Sequence, residues 1–174
     1  MRIISIFTFT LLCLFLSCCG VKSQVDKGVI TSEQMDVLER FNCEQTVMSY
    51  AHSRDDVDWQ KNINLFTQDA IILFGDTKLE GHDEIKAALL ERGPKRFTRH
   101  IIASVSVEKT AEGKLMGTSY AVVYGSDPNT QRPMPLSDKS VEAILTYNDV
   151  FEVTEGQCLI VERIVVLDMV RTNE

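Results

Sequence analysis

Basic residues, histidines, prolines and long apolar runs are all scarce in this chain, and each scarcity removes a class of function. The 18 lysines and arginines are outnumbered by 25 acidic residues, for a net charge of −7, and the acidic residues are spread rather than clustered. A phosphate-binding surface needs a basic face, so nucleic acid is not an expected partner. Only three histidines occur, His52, His82 and His100. They are scattered, and neither a His-x-x-x-His pair nor a paired-cysteine spacing accompanies them, so no metal site is expected. No glycine-rich phosphate loop is present either, which argues against a nucleotide; the expectation is a protein without a cofactor. Four prolines and nine glycines build no linker, and no repeat divides the chain. Residues 32–171 therefore read as one domain around one core.

The first residues are apolar but too few to span a bilayer. Residues 3–16 follow a single positive residue, Arg2, and stop short of the ~20 residues that a transmembrane helix needs, which fits a signal peptide over residues 1–18. Phe15-Leu16-Ser17-Cys18 resembles a bacterial lipobox, with Cys18 as the lipidated residue and Phe15 where an aliphatic side chain is usual. Ordinary cleavage near Gly20 or Ser23 is the alternative. Both imply export to the periplasm or cell envelope, a tether over residues 19–31, and membrane contact only through a lipid anchor. Of the five cysteines, Cys13, Cys18 and Cys19 lie in this leader. Cys43 and Cys158 remain, and an oxidising compartment would let them pair. Buried free thiols are the commoner fate, so two separate cysteines are the expectation.

Along the rest of the chain, helical patterns come first and strands later. Thr31 with Gln34 forms a capping-box signature before Met35, Leu38, Phe41, Met48 and Ala51, which predicts a first helix with Tyr50 in its final turn. Asp55 or Asp56 is placed to cap a second helix carrying Trp59, Ile63 and Phe66. Residues 70–74 and 78–80 read as a hairpin around Gly75-Asp76, and residues 83–92 as a third helix stopped by Gly93-Pro94. Long strands follow over residues 97–109, 114–125, 140–154 and 157–170, and short turns at Ala111-Glu112-Gly113 and Glu155-Gly156 make neighbouring strands antiparallel, the loop over residues 126–138 being the exception. The loop over residues 126–138 carries Pro128, Pro133 and Pro135 and is long enough either to cover a cavity or to be a solvated excursion. Helices followed by a curled antiparallel sheet make an α+β domain.

Four reactive side chains interrupt segments that otherwise read as core: Tyr50, Asp55, His100 and Arg163. Arg163 falls among Val161, Val165 and Leu167, where an arginine is costly unless it meets an anion or a wet cavity. These residues lie in a string of short motifs: Ser49-Tyr50-Ala51 with Asp55 and Trp59, Leu65-Phe66-Thr67-Gln68-Asp69-Ala70, Gly81-His82-Asp83-Glu84-Ile85 and Thr98-Arg99-His100. The last is Gly156-Gln157-Cys158-Leu159-Ile160-Val161-Glu162-Arg163, in which Cys158 stands where a tryptophan is common. In order and spacing the chain resembles the SnoaL-like branch of the NTF2-like superfamily, which includes ketosteroid isomerase, scytalone dehydratase and bile-acid dehydratase. The resemblance implies an α+β cone, a curved sheet wrapped around N-terminal helices and enclosing a cavity for a small molecule. It also implies a site in which His100, oriented by Asp55, removes a proton, Tyr50 stabilises an oxyanion, and Arg163 helps a hydroxyl depart or binds an acidic substituent.

Each residue also has a structural reading. His100 serves equally as a hydrogen-bonded strand histidine, Asp55 as a helix cap, Tyr50 as a core tyrosine, and Arg163 as the partner of a buried acid such as Asp55 or Asp149. His82 reads as a surface residue at the start of the third helix. The functional expectation is a dehydratase or isomerase for a cyclic carbonyl compound. Its rival is a non-catalytic envelope protein that binds a small ligand, or a dimerising module whose sheet face meets its twin.

Overall fold

In the computed structural model the capping box at Thr31 forms in full: Thr31 Oγ1 accepts the Gln34 backbone N–H at 3.2 Å and Gln34 Oε1 accepts the Thr31 N–H at 2.9 Å. This satisfies two of the otherwise orphaned donors at the start of helix α1, Ser32–Asp55. The structure describes residues 30–92, 97–126 and 140–170. The leader with Cys18, nearly all of the tether, the Gly93-Pro94 stop and nearly all of the proline-containing loop lie outside the described residues. Short helix α2, Trp59–Ile63, is capped by Asp58 rather than by Asp55 or Asp56. Strands β1, Phe66–Phe74, and β2, Thr77–Glu80, make the hairpin, and helix α3 covers Gly81–Arg92. Four long strands complete the chain: β3, Thr98–Lys109; β4, Leu115–Gly125; β5, Ser140–Thr154; and β6, Gln157–Val170.

The six strands form one sheet in the order β2-β1-β6-β5-β4-β3. Strands β3, β4, β5 and β6 are antiparallel in succession, with short turns joining β3 to β4 and β5 to β6, but β1 lies parallel to β6. Expecting antiparallel neighbours from short turns misses that pair, because β1 and β6 are joined by most of the domain. The sheet does not close on itself. Helix α1 packs on its inner face, and Cys43, Val47, Tyr50 and Ala51 are buried there at i, i+4, i+7 and i+8. Facing them are Val107, Leu115, Ala121, Tyr147, Phe151 and Ile160.

Strand β4 alternates buried Leu115, Ser119, Ala121 and Val123 with outward residues such as Met116, Tyr120 and Tyr124. At Gly117 a Cβ would fall 2.7 Å from Phe151 Cε2, so only glycine lets that ring close the core here. In β6 the inward face changes parity. Cys158 and Ile160 point in, then Arg163, because a register irregularity between Val150 and Phe151 gives β6 an extra residue at Val161.

Cys43 and Cys158 are joined by a disulfide that staples α1 to the start of β6. This corrects the expectation of two separate thiols. The two cysteines are 115 residues apart in sequence, and the distance between them is set by the crossover that lays α1 against β6, which no local pattern encodes.

Candidate functional site

Tyr50 was expected in the last turn of its helix, but α1 runs five residues further and ends at Asp55. Its end is built as a Schellman motif: the Asp58 N–H reaches the Ser53 carbonyl at 2.9 Å and the Val57 N–H reaches the Arg54 carbonyl at 3.4 Å. The left-handed position of that motif, usually glycine, is Val57 with φ 60°. A β-branched residue there is strained. The turn fixes Asp55 at the point where α1 meets the first residues of β3.

There Asp55 grips His100 twice. Asp55 Oδ1 lies 2.6 Å from His100 Nδ1, and Oδ2 accepts the His100 backbone N–H at 2.9 Å. The Thr98 hydroxyl donates to Oδ1 as well, at 3.1 Å. Burial pushes the Asp55 carboxyl up, but the hydrogen bonds from the His100 ring and backbone, the charge of His100 and the Thr98 hydroxyl together hold it below its ordinary value. Asp55 is thus an acceptor only, so His100 Nδ1 carries the proton of that bond. In the neutral ring Nε2 is then left with its lone pair.

His100 lines a cavity of about 510 Å³ between α1, α3 and the inner face of the sheet. Tyr50, Arg54 and Asn62 line it too, among mainly apolar walls that include Ile72, Leu79, Ile85 and Leu145. Asp55 stands behind His100 and is not part of the lining. The Tyr50 ring meets Phe66 and Tyr147 edge-on, with centroids 6.0 and 5.8 Å away, which fixes its plane.

Arg163 lies elsewhere. It is 0% exposed, and it forms a bidentate pair with Asp149 through Nε and Nη2, each at 2.7 Å. Its guanidinium sits 4.1 Å from the Tyr50 ring centroid and 4.4 Å from that of Tyr147. Burial works against the charge, and Asp149 more than restores it, so Arg163 stays protonated. Arg163 therefore supports the two tyrosines from beneath and does not line the cavity with Tyr50 and His100. The expectation of a ligand-facing Arg163 gives way to its structural alternative, a buried pair with Asp149. Burial, together with the neighbouring Tyr50, pushes the Tyr147 hydroxyl well above its ordinary range despite that cation.

Two cavity residues were not singled out from sequence. Asn62 is fully buried; its Nδ2 donates to the Ser53 hydroxyl at 2.8 Å and to the Tyr50 carbonyl at 3.3 Å. Its Oδ1 has no partner. Arg54 projects one turn beyond Tyr50 on the same helix face. The only available signal was spacing: Arg54 falls four residues after Tyr50, and Asn62 lies on the buried stripe of α2. His82, by contrast, is half-buried on α3 and donates through Nε2 to the Phe66 carbonyl at 3.0 Å, a structural role at the start of α3.

The SnoaL-like domain profile matches residues 35–164. The chain belongs to the SnoaL-like domain family. No curated protein sequence matches it significantly. Among solved structures it is similar to ActVI-ORFA from Streptomyces coelicolor, with 17% identity and a TM-score of 0.63 over 74% of this chain and 96% of that one. A candidate scytalone dehydratase from Novosphingobium aromaticivorans gives 17% identity and a TM-score of 0.64, over 82% of this chain and 88% of the other. The beta subunit of a candidate aromatic-ring-hydroxylating dioxygenase from the same organism gives 13% identity and a TM-score of 0.64, over 80% and 95%. At these identities the likeness establishes the fold, an NTF2-like α+β cone with an unclosed sheet. SnoaL-like members span several chemistries, so activity has to be argued from the cavity itself.

Proposed function

We propose that this SnoaL-like protein is a cofactor-independent dehydratase or isomerase acting on a cyclic carbonyl compound. The observation that carries the reading is the Asp55–His100 pair at the cavity wall, with the carboxylate held ionised and the ring tied through Nδ1. Such a ring presents Nε2 as a base for a proton α to a carbonyl. As that proton leaves, negative charge grows on the carbonyl oxygen, and the Tyr50 hydroxyl is the donor assigned to stabilise it, with the Arg163 cation under the ring reinforcing its acidity. Asn62 Oδ1, a buried acceptor without a donor, anchors the substrate hydroxyl. In a β-hydroxy ketone, proton removal from the α-carbon and expulsion of the β-hydroxyl as water yield the conjugated enone. In an isomerisation the same base returns the proton to a different carbon. General-base assistance supplies about 10²–10⁴ in rate.

The test is to follow enone absorbance as the purified domain is given β-hydroxy cyclic ketones. Acceleration by wild type and its loss in His100→Ala support the proposal; equal rates with the two proteins contradict it.

Export belongs to the same proposal. A disulfide between buried cysteines suits an oxidising compartment, consistent with the leader and the Cys18 lipobox. Self-association is proposed for the outer sheet face. There Met116 and Tyr120 on β4 and Ile164 and Val166 on β6 are exposed on either side of β5, and sedimentation of the mature domain as a monomer at micromolar concentration would contradict it.

A further inference from the structure

The cavity contains a cation that no hydrogen bond or ion pair from the described residues answers. Arg54 belongs to the last turn of α1 and its side chain lines the cavity beside Tyr50 and Asn62. Its guanidinium lies 5.9 Å from the Tyr50 ring centroid and 5.8 Å from that of Trp59, near the outer limit at which such stacking counts. Among the described residues no hydrogen bond and no ion pair reaches it. The contrast with Arg163 is sharp: one arginine is fully buried and matched by Asp149, the other is half-buried and its guanidinium meets no acceptor among the described residues. A guanidinium in a mainly apolar cavity is best satisfied by a planar, singly charged anion that takes two parallel hydrogen bonds. The α1 C-terminus alone would also favour a basic residue here, but that would place no demand on the cavity side.

We infer that the cavity selects a carboxylated ligand, an apolar body whose carboxylate pairs with Arg54. The inference rests on the proposed use of the same cavity, and it adds the substrate class: a carbonyl compound that is also an acid. One cation balances one negative charge, and Glu91 contributes a carboxylate of its own to the lining. A monoanionic carboxylate therefore fits better than a dianionic phosphate. In α1 the side chain of Arg54 shares a face with Tyr50, one turn away. The carboxylate is accordingly held along α1 from the carbonyl that Tyr50 serves, and the apolar remainder lies against Ile72, Leu79 and Leu145.

The experiment uses two probes of nearly equal shape, a naphthalene carboxylate and the matching naphthalene carboxamide, titrated calorimetrically into wild type, Arg54→Gln, Arg54→Lys and His100→Ala. Wild type is expected to prefer the carboxylate by about tenfold or more, as charge-assisted bonds outweigh neutral ones. The preference should fall to near one in Arg54→Gln, persist in weakened form in Arg54→Lys and survive in His100→Ala. Thermal melts of each variant confirm that the comparison is between folded proteins. A wild-type preference near one, an Arg54→Gln preference equal to wild type, or no binding of either probe at millimolar concentration overturns the inference. An intact preference together with unchanged enone formation in His100→Ala overturns the general-base reading and leaves the carboxylate site standing.

Discussion

Removing Asp149 is among the most severe single changes that the structure identifies. Asp149 is 2% exposed and Arg163 is 0% exposed, and two 2.7 Å hydrogen bonds join them. An arginine cannot shed its charge, so Asp149→Ala strands a buried cation whose Nη1 already has no acceptor. Breaking one side of a buried pair in this way costs about 3–5 kcal/mol, about a fifth or more of the ~5–15 kcal/mol that stabilises an ordinary domain. Asp149→Asn keeps one acceptor oxygen and should cost about 1.5–3 kcal/mol. Replacing both partners, as Asp149→Leu with Arg163→Met, removes the unpaired charge and should return stability to within about 2 kcal/mol of wild type. Urea unfolding followed by far-ultraviolet circular dichroism measures all three. An Asp149→Ala variant less than about 1 kcal/mol below wild type would refute the reasoning, because the pair would then not be desolvated as described.

Opening the Cys43–Cys158 bond with Cys43→Ala and Cys158→Ala should lower stability by about 4–5 kcal/mol, from the loop of more than a hundred residues it closes; thiol labelling of the unfolded wild type should detect no free Cys43 or Cys158 until reductant is added. Val57→Gly relieves the left-handed valine at the end of α1 and should raise stability by about 1 kcal/mol in the same urea assay. The folded Asp55 carboxyl titrates below its ordinary value of 3.8. Its contribution is therefore complete above that pH and is lost as pH falls through the lower folded value. The stability gap between wild type and Asp55→Asn, measured across a pH series, should be constant above 3.8 and narrow as pH falls below it.

The parts of this fold that were legible in sequence are those that depend on neighbours along the chain. Thr31 and Gln34 announce the start of α1, Gly75-Asp76 the β1–β2 turn, and alternation the faces of β4. The motif order carried the family. What local patterns could not give was relative placement across the crossover. The parallel β1–β6 pair and the Cys43–Cys158 bond arise from segments far apart in sequence, and the irregularity at Val161 sits within the β5–β6 hairpin, where no glycine marks it. Three of the candidate residues, Tyr50, Asp55 and His100, come together at the cavity. Arg163 does not join its lining, because the shift at Val161 turns its side chain into the core, onto Asp149. Arg54 went unremarked because an arginine near a helix C-terminus is ordinary there, and only the cavity makes its missing partner visible.

The measurement closest to the central claim is a double-mutant cycle on enone formation from a β-hydroxy cyclic ketone, using His100→Ala, Asp55→Asn and the two combined, with rates taken per folded molecule. If Asp55 acts by orienting and polarising His100, each single variant should lose about 10²-fold or more in turnover, and the double variant should be little worse than His100→Ala alone. Independent losses that multiply in the double variant, or folded single variants with wild-type turnover, would contradict the account.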